Sequence, residues 1–197
     1  DMTVRPSVIM TGQPPVIRPD DFSQRLGLYR PGHVRGDHLL NADAAPPAPW
    51  RQAAVLIPLL AQEGRLDVVF TLRTAHLHAH AGQVSFPGGG AEAHDRDAIA
   101  TALRETEEEI GLDPARVQVL GTLDAYVTRT GYQVTPVVGL IDADKGGRPV
   151  WHPDDFEVAE IFDVPMTHIL TPGVLRQESI SREGIVRRSY VCAWRDY

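Results

Sequence analysis

The segment 104–112 reads Arg104-Glu105-Thr106-Glu107-Glu108-Glu109-Ile110-Gly111-Leu112. If this segment is helical, spacings of three and four residues place the carboxylates of Glu105, Glu108 and Glu109 on one face, one turn apart. No lysine interrupts that face, so the negative charges repel one another unless a cation neutralises them. Oxygen ligands of this kind suit Mg²⁺ or Mn²⁺ better than zinc. The alternative interpretation is an ordinary solvated acidic helix.

A run of glycines before the acidic segment favours the metal-binding interpretation. The run is part of Phe86-Pro87-Gly88-Gly89-Gly90, and glycine allows the backbone to approach a ligand closely. A backbone carbonyl of Gly89 or Gly90 is expected to supply a further oxygen ligand. Magnesium in turn suggests a substrate that contains phosphate.

The segment from Gly90 to Leu112 resembles the Nudix box. That motif consists of Gly, five residues, Glu, seven residues, Arg-Glu, an apolar residue, any residue, Glu-Glu, any residue, Gly and an apolar residue. Two positions depart from it, because Arg96 replaces the first Glu and Thr106 replaces the apolar residue. In the family the first Glu mainly starts the helix and forms ion pairs, so Arg96 puts the ion pairing of Arg104 in doubt more than the metal site. The matching residues are Gly90, Arg104, Glu105, Glu108, Glu109, Gly111 and Leu112.

A second motif, just upstream, is similar to that of the coenzyme A pyrophosphatase branch of the Nudix hydrolases. Its pattern is Leu-Leu-Thr-x-Arg-Ser, then Leu, then His, then Gly-Gln-Val-x-Phe-Pro-Gly-Gly. Thr74 replaces Ser and keeps the hydroxyl group, and Glu92 stands where the motif has Asp. The two motifs together cover Thr71 to Leu112, about a fifth of the chain. The matching residues of the second motif are Thr71, Arg73, Leu77, His80, Gly82, Gln83, Val84, Phe86, Pro87, Gly88 and Gly89.

The resemblance implies an α/β fold, the Nudix α/β/α sandwich with a mixed β-sheet, and divalent-metal-dependent hydrolysis of a phosphoanhydride. It implies that Glu105 and Glu109 are the main metal ligands, followed by Glu108 and the backbone of Gly89. The expected substrate is coenzyme A or a derivative, and the expected products are 3′,5′-ADP and 4′-phosphopantetheine. Another nucleoside diphosphate derivative, such as ADP-ribose or NADH, is the alternative substrate. A coenzyme A-binding module without catalysis is the alternative function.

The expected catalytic residues are acidic apart from one arginine. For Arg104 we favour pairing with an acidic neighbour over contact with a substrate phosphate, because arginine forms bidentate pairs with carboxylates. One of the clustered carboxylates, Glu105, Glu108 or Glu109, is expected to act as the general base. The resemblance also implies a base from a later loop, for which Glu157 and Glu160 are the candidates. The catalytic set is Glu105, Glu108, Glu109 and Arg104.

Substrate contacts are expected from the upstream motif. The planar guanidinium of Arg73 suits a phosphate. His76, His78 and His80 alternate along the chain, but without a nearby cysteine this spacing is weak evidence for zinc. The full expected set is Arg73, Thr74, His80, Gln83, Gly88 and Gly89.

Bulk properties narrow the class of protein. The chain has 197 residues and a formal net charge of −7, which argues against non-specific nucleic-acid binding. Cys192 is the single cysteine, so no intrachain disulfide forms, and we interpret it as a small buried residue of a strand. No apolar run is long enough to span a membrane. These features fit a cytoplasmic enzyme with a small-molecule substrate and no membrane partner.

The chain is expected to divide into residues 1–50, comprising an arm, a short helix and a loop, and a single Nudix domain over 51–197. The short helix is capped by Asp20 or Asp21, and residues 31–50 form the loop. The main helix begins at Asp95 or Asp97, ends at Gly111, and packs an apolar stripe on the sheet. The resemblance implies a further helix, so we expect the natural chain to continue beyond this sequence. Strands are predicted over 53–60, 66–72, 82–86, 117–127, 133–141, 158–162 and 186–194.

Overall fold

The computed structural model describes residues 17–41, 48–77, 81–182 and 185–197. Within these ranges nine strands form one mixed sheet, and two more form a separate hairpin. The strands are β1 (Val34–Gly36), β2 (Arg51–Gln62), β3 (Arg65–Arg73), β4 (Val84–Ser85), β5 (Gly88–Gly90), β6 (Gln118–Thr122), β7 (Ala125–Val127), β8 (Tyr132–Asp142), β9 (Val158–Pro165), β10 (Leu175–Arg182) and β11 (Ile185–Cys192). The helices are α1 (Pro19–Leu28), α2 (Ala98–Ile110), α3 (Ala143–Gly146) and α4 (Met166–Ile169).

Strand β2 is the centre of the sheet and has a different neighbour along each part of its length. One edge pairs in parallel with β8, from Arg51↔Tyr132 to Ala61↔Asp142. Its other edge pairs first with the glycine strand β5, and then with β3 through a hairpin. The first half of β2 therefore carries the glycine strand, and its second half carries the rest of the sheet.

The apolar residues of β2 occupy both faces of the sheet, because both faces are covered. Leu56 and Leu60 point toward α2 and pack with Ala102 and Ile110. Leu59 and Ala61 point the other way, toward an apolar layer that includes residues of α1 and α4. The expected α/β/α sandwich with a mixed sheet is thus confirmed.

Local signals set the ends of α2 as expected. The side chain of Asp97 accepts a hydrogen bond of 2.8 Å from the backbone N–H of Ala100, so Asp97 is the N-cap. Gly111 ends the helix with φ of 68°, a left-handed conformation that glycine adopts without strain. Ala102, Thr106 and Ile110 are buried against the sheet.

The N-terminal part differs from prediction in two respects. Helix α1 begins at Pro19 after Arg18, and neither Asp20 nor Asp21 caps it. Proline lacks an N–H and has a helical φ, so it takes the first position and leaves both aspartates inside the first turn. The predicted loop contains β1, which pairs in parallel with β7. Residues 1–16 and 42–47 lie outside the described ranges, so the division at residue 50 stays a prediction.

One strand prediction was wrong, and one strand was missed. The predicted strand over 117–127 is two strands, β6 and β7, and β6 shifts register between Val119 and Gly121. The hairpin partner β10 was missed because its Arg176-Gln177-Glu178-Ser179 stretch lacks apolar alternation. Cys192, at the end of β11, is partly exposed rather than buried. The strands predicted at 53–60, 66–72, 133–141 and 158–162 are all present, each somewhat longer than predicted.

None of the helices in the described ranges has the length and apolar character that a membrane span requires.

Candidate active site

The glycine strand β5 brings α2 next to the centre of the sheet. Gly88 and Gly90 pair with Val55 and Ala53 of β2, and α2 packs against the same strand. The last turn of α2 is held by the loop before β9, because the N–H of Asp154 donates to the carbonyl of Glu109. Glu105 and Glu109 therefore face β5 from a helix that is held at both ends.

Glu109 is the most buried of the three glutamates, with 7% of its side chain exposed. Its Oε2 accepts a hydrogen bond of 3.1 Å from the N–H of Gly88, and its Oε1 lies 3.4 Å from Nη1 of Arg73. Burial raises the pKa of Glu109 to about 7, because removing a carboxylate from water costs more than these two contacts return. Glu109 thus lies at the point where the helix, the glycine strand and β3 meet.

Glu105 lies one turn before Glu109 and touches the next glycine. Its side chain is 18% exposed and pairs with Nη1 of Arg104 at 2.9 Å. A Cβ atom added to Gly89 would lie 2.6 Å from the carboxyl carbon of Glu105, so only glycine fits there without moving this side chain. Burial also raises the pKa of Glu105.

Glu108 does not share this position, which corrects the expectation of three carboxylates on one face. Its side chain is 60% exposed and pairs with Arg104 at 3.0 Å. Glu108 and Glu109 follow Glu105 by three and four residues, so they lie on opposite sides of Glu105 around the helix. The sheet covers only the side that carries Glu109.

Arg104 has the ion-pair network that the Arg96 substitution put in doubt. Its Nε and Nη2 contact the two carboxylate oxygens of Asp95 at 3.1 and 3.0 Å, and Nη2 also donates to the carbonyl of Gly90. The pKa of Asp95 is held far below its usual range by this arginine. Arg96 is exposed and lies beside Asp97. The favoured pairing of Arg104 with an acidic neighbour is present, and Asp95 takes the role expected of the missing glutamate.

Arg73 is located at the end of β3 and joins two acidic residues. Its Nη1 lies 3.4 Å from Glu109, and its Nη2 lies 3.4 Å from Glu157. The structure therefore places Arg73 among carboxylates, whereas the sequence suggested a phosphate contact. Of the two loop candidates for the base, Glu157 adjoins the site through Arg73. Glu160 is exposed and interacts with the hydroxyl of Tyr197 instead.

The remaining expected substrate contacts fall into three groups. Thr74 is buried, and its hydroxyl donates a bond of 2.7 Å to the carbonyl of Phe156, which ties the strand end to the loop that carries Glu157. Gln83, Gly88 and Gly89 line an open cleft. His80 lies outside the described residues.

The cleft has a volume of about 620 Å³ and runs from the glycine strand toward the start of β2 and β8. At the glycine end it reaches Arg73, and at the other end it reaches Arg51 and Tyr132. Sequence reasoning missed Arg51 and Tyr132 as site residues. Alternation along β2 places Arg51 on the same face as Ala53 and Val55, but the sequence alone did not show that this face is open.

The donors present fit a small oxygen-preferring cation. The carboxylate of Glu105 lies against Gly89, and that of Glu109 accepts from the N–H of Gly88. In the described part of the chain, their other side-chain partners are the guanidinium groups of Arg104 and Arg73. Among the described residues, no three Asp, Glu, His or Cys side chains converge as a preformed ligand cluster. Two carboxylates with backbone and water ligands suit Mg²⁺, which commonly keeps several waters.

The burial of Glu109 predicts that its contribution to the stability of the metal-free protein falls as the pH rises. Its pKa is raised from 4.5 to about 7 on folding, so the folded state holds this proton more tightly than the unfolded state. This contribution to stability is fully present below pH 4.5 and is lost as the pH rises through 7. The change is about 3 kcal/mol, since each pKa unit corresponds to 1.36 kcal/mol.

Urea unfolding in EDTA at several pH values gives the free energy of unfolding of wild type and of Glu109→Gln. The difference between the two proteins, followed with pH, measures this loss. The difference isolates Glu109 from the other titrating groups. Glu107→Gln, an exposed change on the same helix, is expected to retain the wild-type profile. Parallel stability curves for wild type and Glu109→Gln between pH 5 and 8 would contradict the assignment.

Several known proteins are similar to this chain in sequence. A family model described as "NUDIX domain" matches residues 50–183. A Citrobacter koseri protein named "Uncharacterized Nudix hydrolase NudL" is 39% identical over 178 residues, which are 90% of this chain and 85% of that protein. The protein of the same name from Pectobacterium atrosepticum is 44% identical over 147 residues, which are 75% and 69% of the two chains. Among solved structures, the Nudix hydrolase RenU from M. smegmatis aligns with 62% of this chain and 78% of its own, at 22% identity and a TM-score of 0.49.

Proposed function

Because this chain belongs to the Nudix hydrolase family, whose members use divalent metals, we propose that it hydrolyses the diphosphate bond of coenzyme A or a derivative. The products are 3′,5′-ADP and 4′-phosphopantetheine. The choice of coenzyme A rests on the second motif, from Thr71 to Gly89. Family membership by itself supports the coarser activity, hydrolysis of a nucleoside diphosphate derivative.

One observation carries the proposal: a buried carboxylate, Glu109, lies between the Gly88 N–H and Arg73 at the edge of an open cleft. Burying a carboxylate costs stability unless its ion pairs and hydrogen bonds offset the lost hydration, and those of Glu109 do not. This position is therefore better explained by function than by stability. Glu105 contacts the neighbouring glycine. The two side chains thus define an anionic position directly beside the expected location of the diphosphate.

Each residue then has a distinct task. Glu105 and Glu109 would hold Mg²⁺ or Mn²⁺, whereas Glu108 is exposed and pairs with Arg104. When bound there, the metal would neutralise phosphate charge and orient water for attack on phosphorus. Gly88 and Gly89 let the protein backbone approach the substrate closely. Arg104 is held by Asp95 and pairs with Glu105, so it keeps that side chain in place. Arg73 orients Glu109 and balances its charge.

The proposal predicts equal amounts of the two products when coenzyme A is incubated with the protein and Mg²⁺ or Mn²⁺. Chromatography with mass detection measures both, and EDTA is expected to stop the reaction. ADP-ribose and NADH serve as competing substrates, and we expect at least tenfold lower kcat/KM for each.

Different outcomes would contradict the substrate, the catalytic activity or the hydrolase function as a whole. Faster cleavage of ADP-ribose than of coenzyme A would remove the substrate assignment and leave the reaction class. Binding of coenzyme A without cleavage would identify a binding module. Absence of any turnover with either metal, in protein shown to be folded, would overturn the hydrolase function.

A further inference from the structure

The end of the cleft far from the glutamates carries a stacked pair of side chains. The guanidinium carbon of Arg51 lies 3.9 Å from the centre of the Tyr132 ring. Arg51 Nη2 also donates a hydrogen bond of 3.1 Å to the carbonyl of Thr130. These two residues are direct neighbours in the parallel pairing of β2 and β8, so the sheet register itself holds the pair together.

The charge of Arg51 is available to a ligand, unlike that of Arg73. Arg73, the other arginine that lines the cleft, lies between Glu109 and Glu157. Arg51 is exposed, and in the part of the chain that the structure describes it forms no ion pair with a carboxylate. In a chain with a net charge of −7, a guanidinium that lines a cleft and has no carboxylate partner among the described residues favours an anion there.

The distance between the two ends of the cleft fits a nucleotide. Val55 pairs with Gly88, whose N–H contacts Glu109, and Arg51 is four residues earlier on the same strand. At the rise of an extended strand this separation is about 13 Å. Ala53, Val55 and Val134 line the cleft between the ends, so a ribose and a base would lie over an apolar floor.

From this geometry we propose that Arg51 and Tyr132 form the subsite for the 3′-phosphoadenosine end of the substrate. The Tyr132 ring packs against the adenine, and the Arg51 guanidinium contacts the 3′-phosphate. The pantetheine end carries neither an aromatic ring nor a phosphate beyond the diphosphate, so it would form fewer favourable contacts with Arg51 and Tyr132. The inference rests on the proposed function for the orientation of the diphosphate beside Gly88 and Gly89.

The test is equilibrium binding of 3′,5′-ADP and of 5′-AMP by calorimetry, which needs no turnover. Wild-type protein is expected to bind 3′,5′-ADP at least tenfold more tightly than 5′-AMP. Arg51→Gln is expected to reduce this preference to within about threefold. Tyr132→Leu is expected to weaken both nucleotides by a similar factor, and Tyr132→Phe, which keeps the ring, is expected to retain most of the affinity.

Arg65→Gln is the matched control, because Arg65 is an exposed arginine on β3 that does not line the cleft. It should leave both affinities unchanged, and melting curves establish that every variant is folded. A wild-type protein that does not distinguish the two nucleotides would overturn the subsite. So would an Arg51→Gln variant that keeps the full preference.

Failure of this inference and failure of the proposed function give different results. If coenzyme A is not cleaved but the Arg51-dependent preference for the 3′-phosphate is present, the subsite stands and the hydrolase assignment falls. If coenzyme A is cleaved and Arg51→Gln keeps the wild-type ratio of kcat/KM between coenzyme A and 3′-dephospho-coenzyme A, the hydrolase assignment stands and the subsite falls.

Discussion

Glu109→Gln is expected to lower kcat/KM by about 1,000-fold or more while leaving the fold intact, because the amide cannot supply the anionic oxygen that the metal site needs. The substitution keeps the shape of the side chain and its contact with the Gly88 N–H. Steady-state hydrolysis of coenzyme A with saturating Mg²⁺ measures the loss. Glu107→Gln makes the same change of charge two residues away on the exposed side of α2, and it should stay within about twofold of wild type.

A second readout distinguishes loss of the metal from loss of chemistry alone. Mg²⁺ is expected to raise the melting temperature of the wild-type protein, because it binds the folded state and relieves repulsion between Glu105 and Glu109. Glu109→Gln should shrink this increase, and Glu107→Gln should not. An unchanged melting temperature in wild type on addition of metal, or full activity of Glu109→Gln, would remove the basis of the metal site.

Gly89→Ala is expected to fold normally but to lose about 100-fold in kcat/KM. The new Cβ would lie 2.6 Å from the carboxyl carbon of Glu105, so the carboxylate must move. The side chain of Glu105 is flexible, so the fold adapts at little cost. A displacement of about 1 Å at a catalytic group is enough for a loss of this size.

Substitutions at Gly90 and Gly88 are the controls for Gly89→Ala: an added Cβ has open space at Gly90 and meets backbone at Gly88. At Gly90 an added Cβ meets nothing within 4 Å, so Gly90→Ala should lose far less activity than Gly89→Ala. At Gly88 an added Cβ would meet the backbone of Val55 at 2.5 Å, and φ is 151°, so Gly88→Ala should destabilise the protein. Comparison of activity and melting temperature across the three variants tests the idea. Equal losses at positions 89 and 90 would contradict it.

The helix that carries the site was predictable because its signals are local. Asp97, the apolar stripe and Gly111 act within a few residues of the helix, so their spacing predicted both its ends and its buried side. The hairpin of β2 and β3 was predictable for the same reason, since Glu63 and Gly64 separate two apolar runs. The β10 strand was not predictable, because its polar residues form a two-stranded sheet apart from the main core.

The sequence by itself determined that a capped amphipathic helix presents an acidic face next to a glycine run, because helical and extended periodicities depend on neighbouring residues alone. Only the tertiary structure decided that Glu109 is buried and Glu108 is exposed, and that Arg51 lies against Tyr132. Burial and charge pairing depend on which residues the register of β2 with β5 and β8 brings together. Those partners are up to 81 residues apart in the chain, between Arg51 and Tyr132, so no local pattern records their contact.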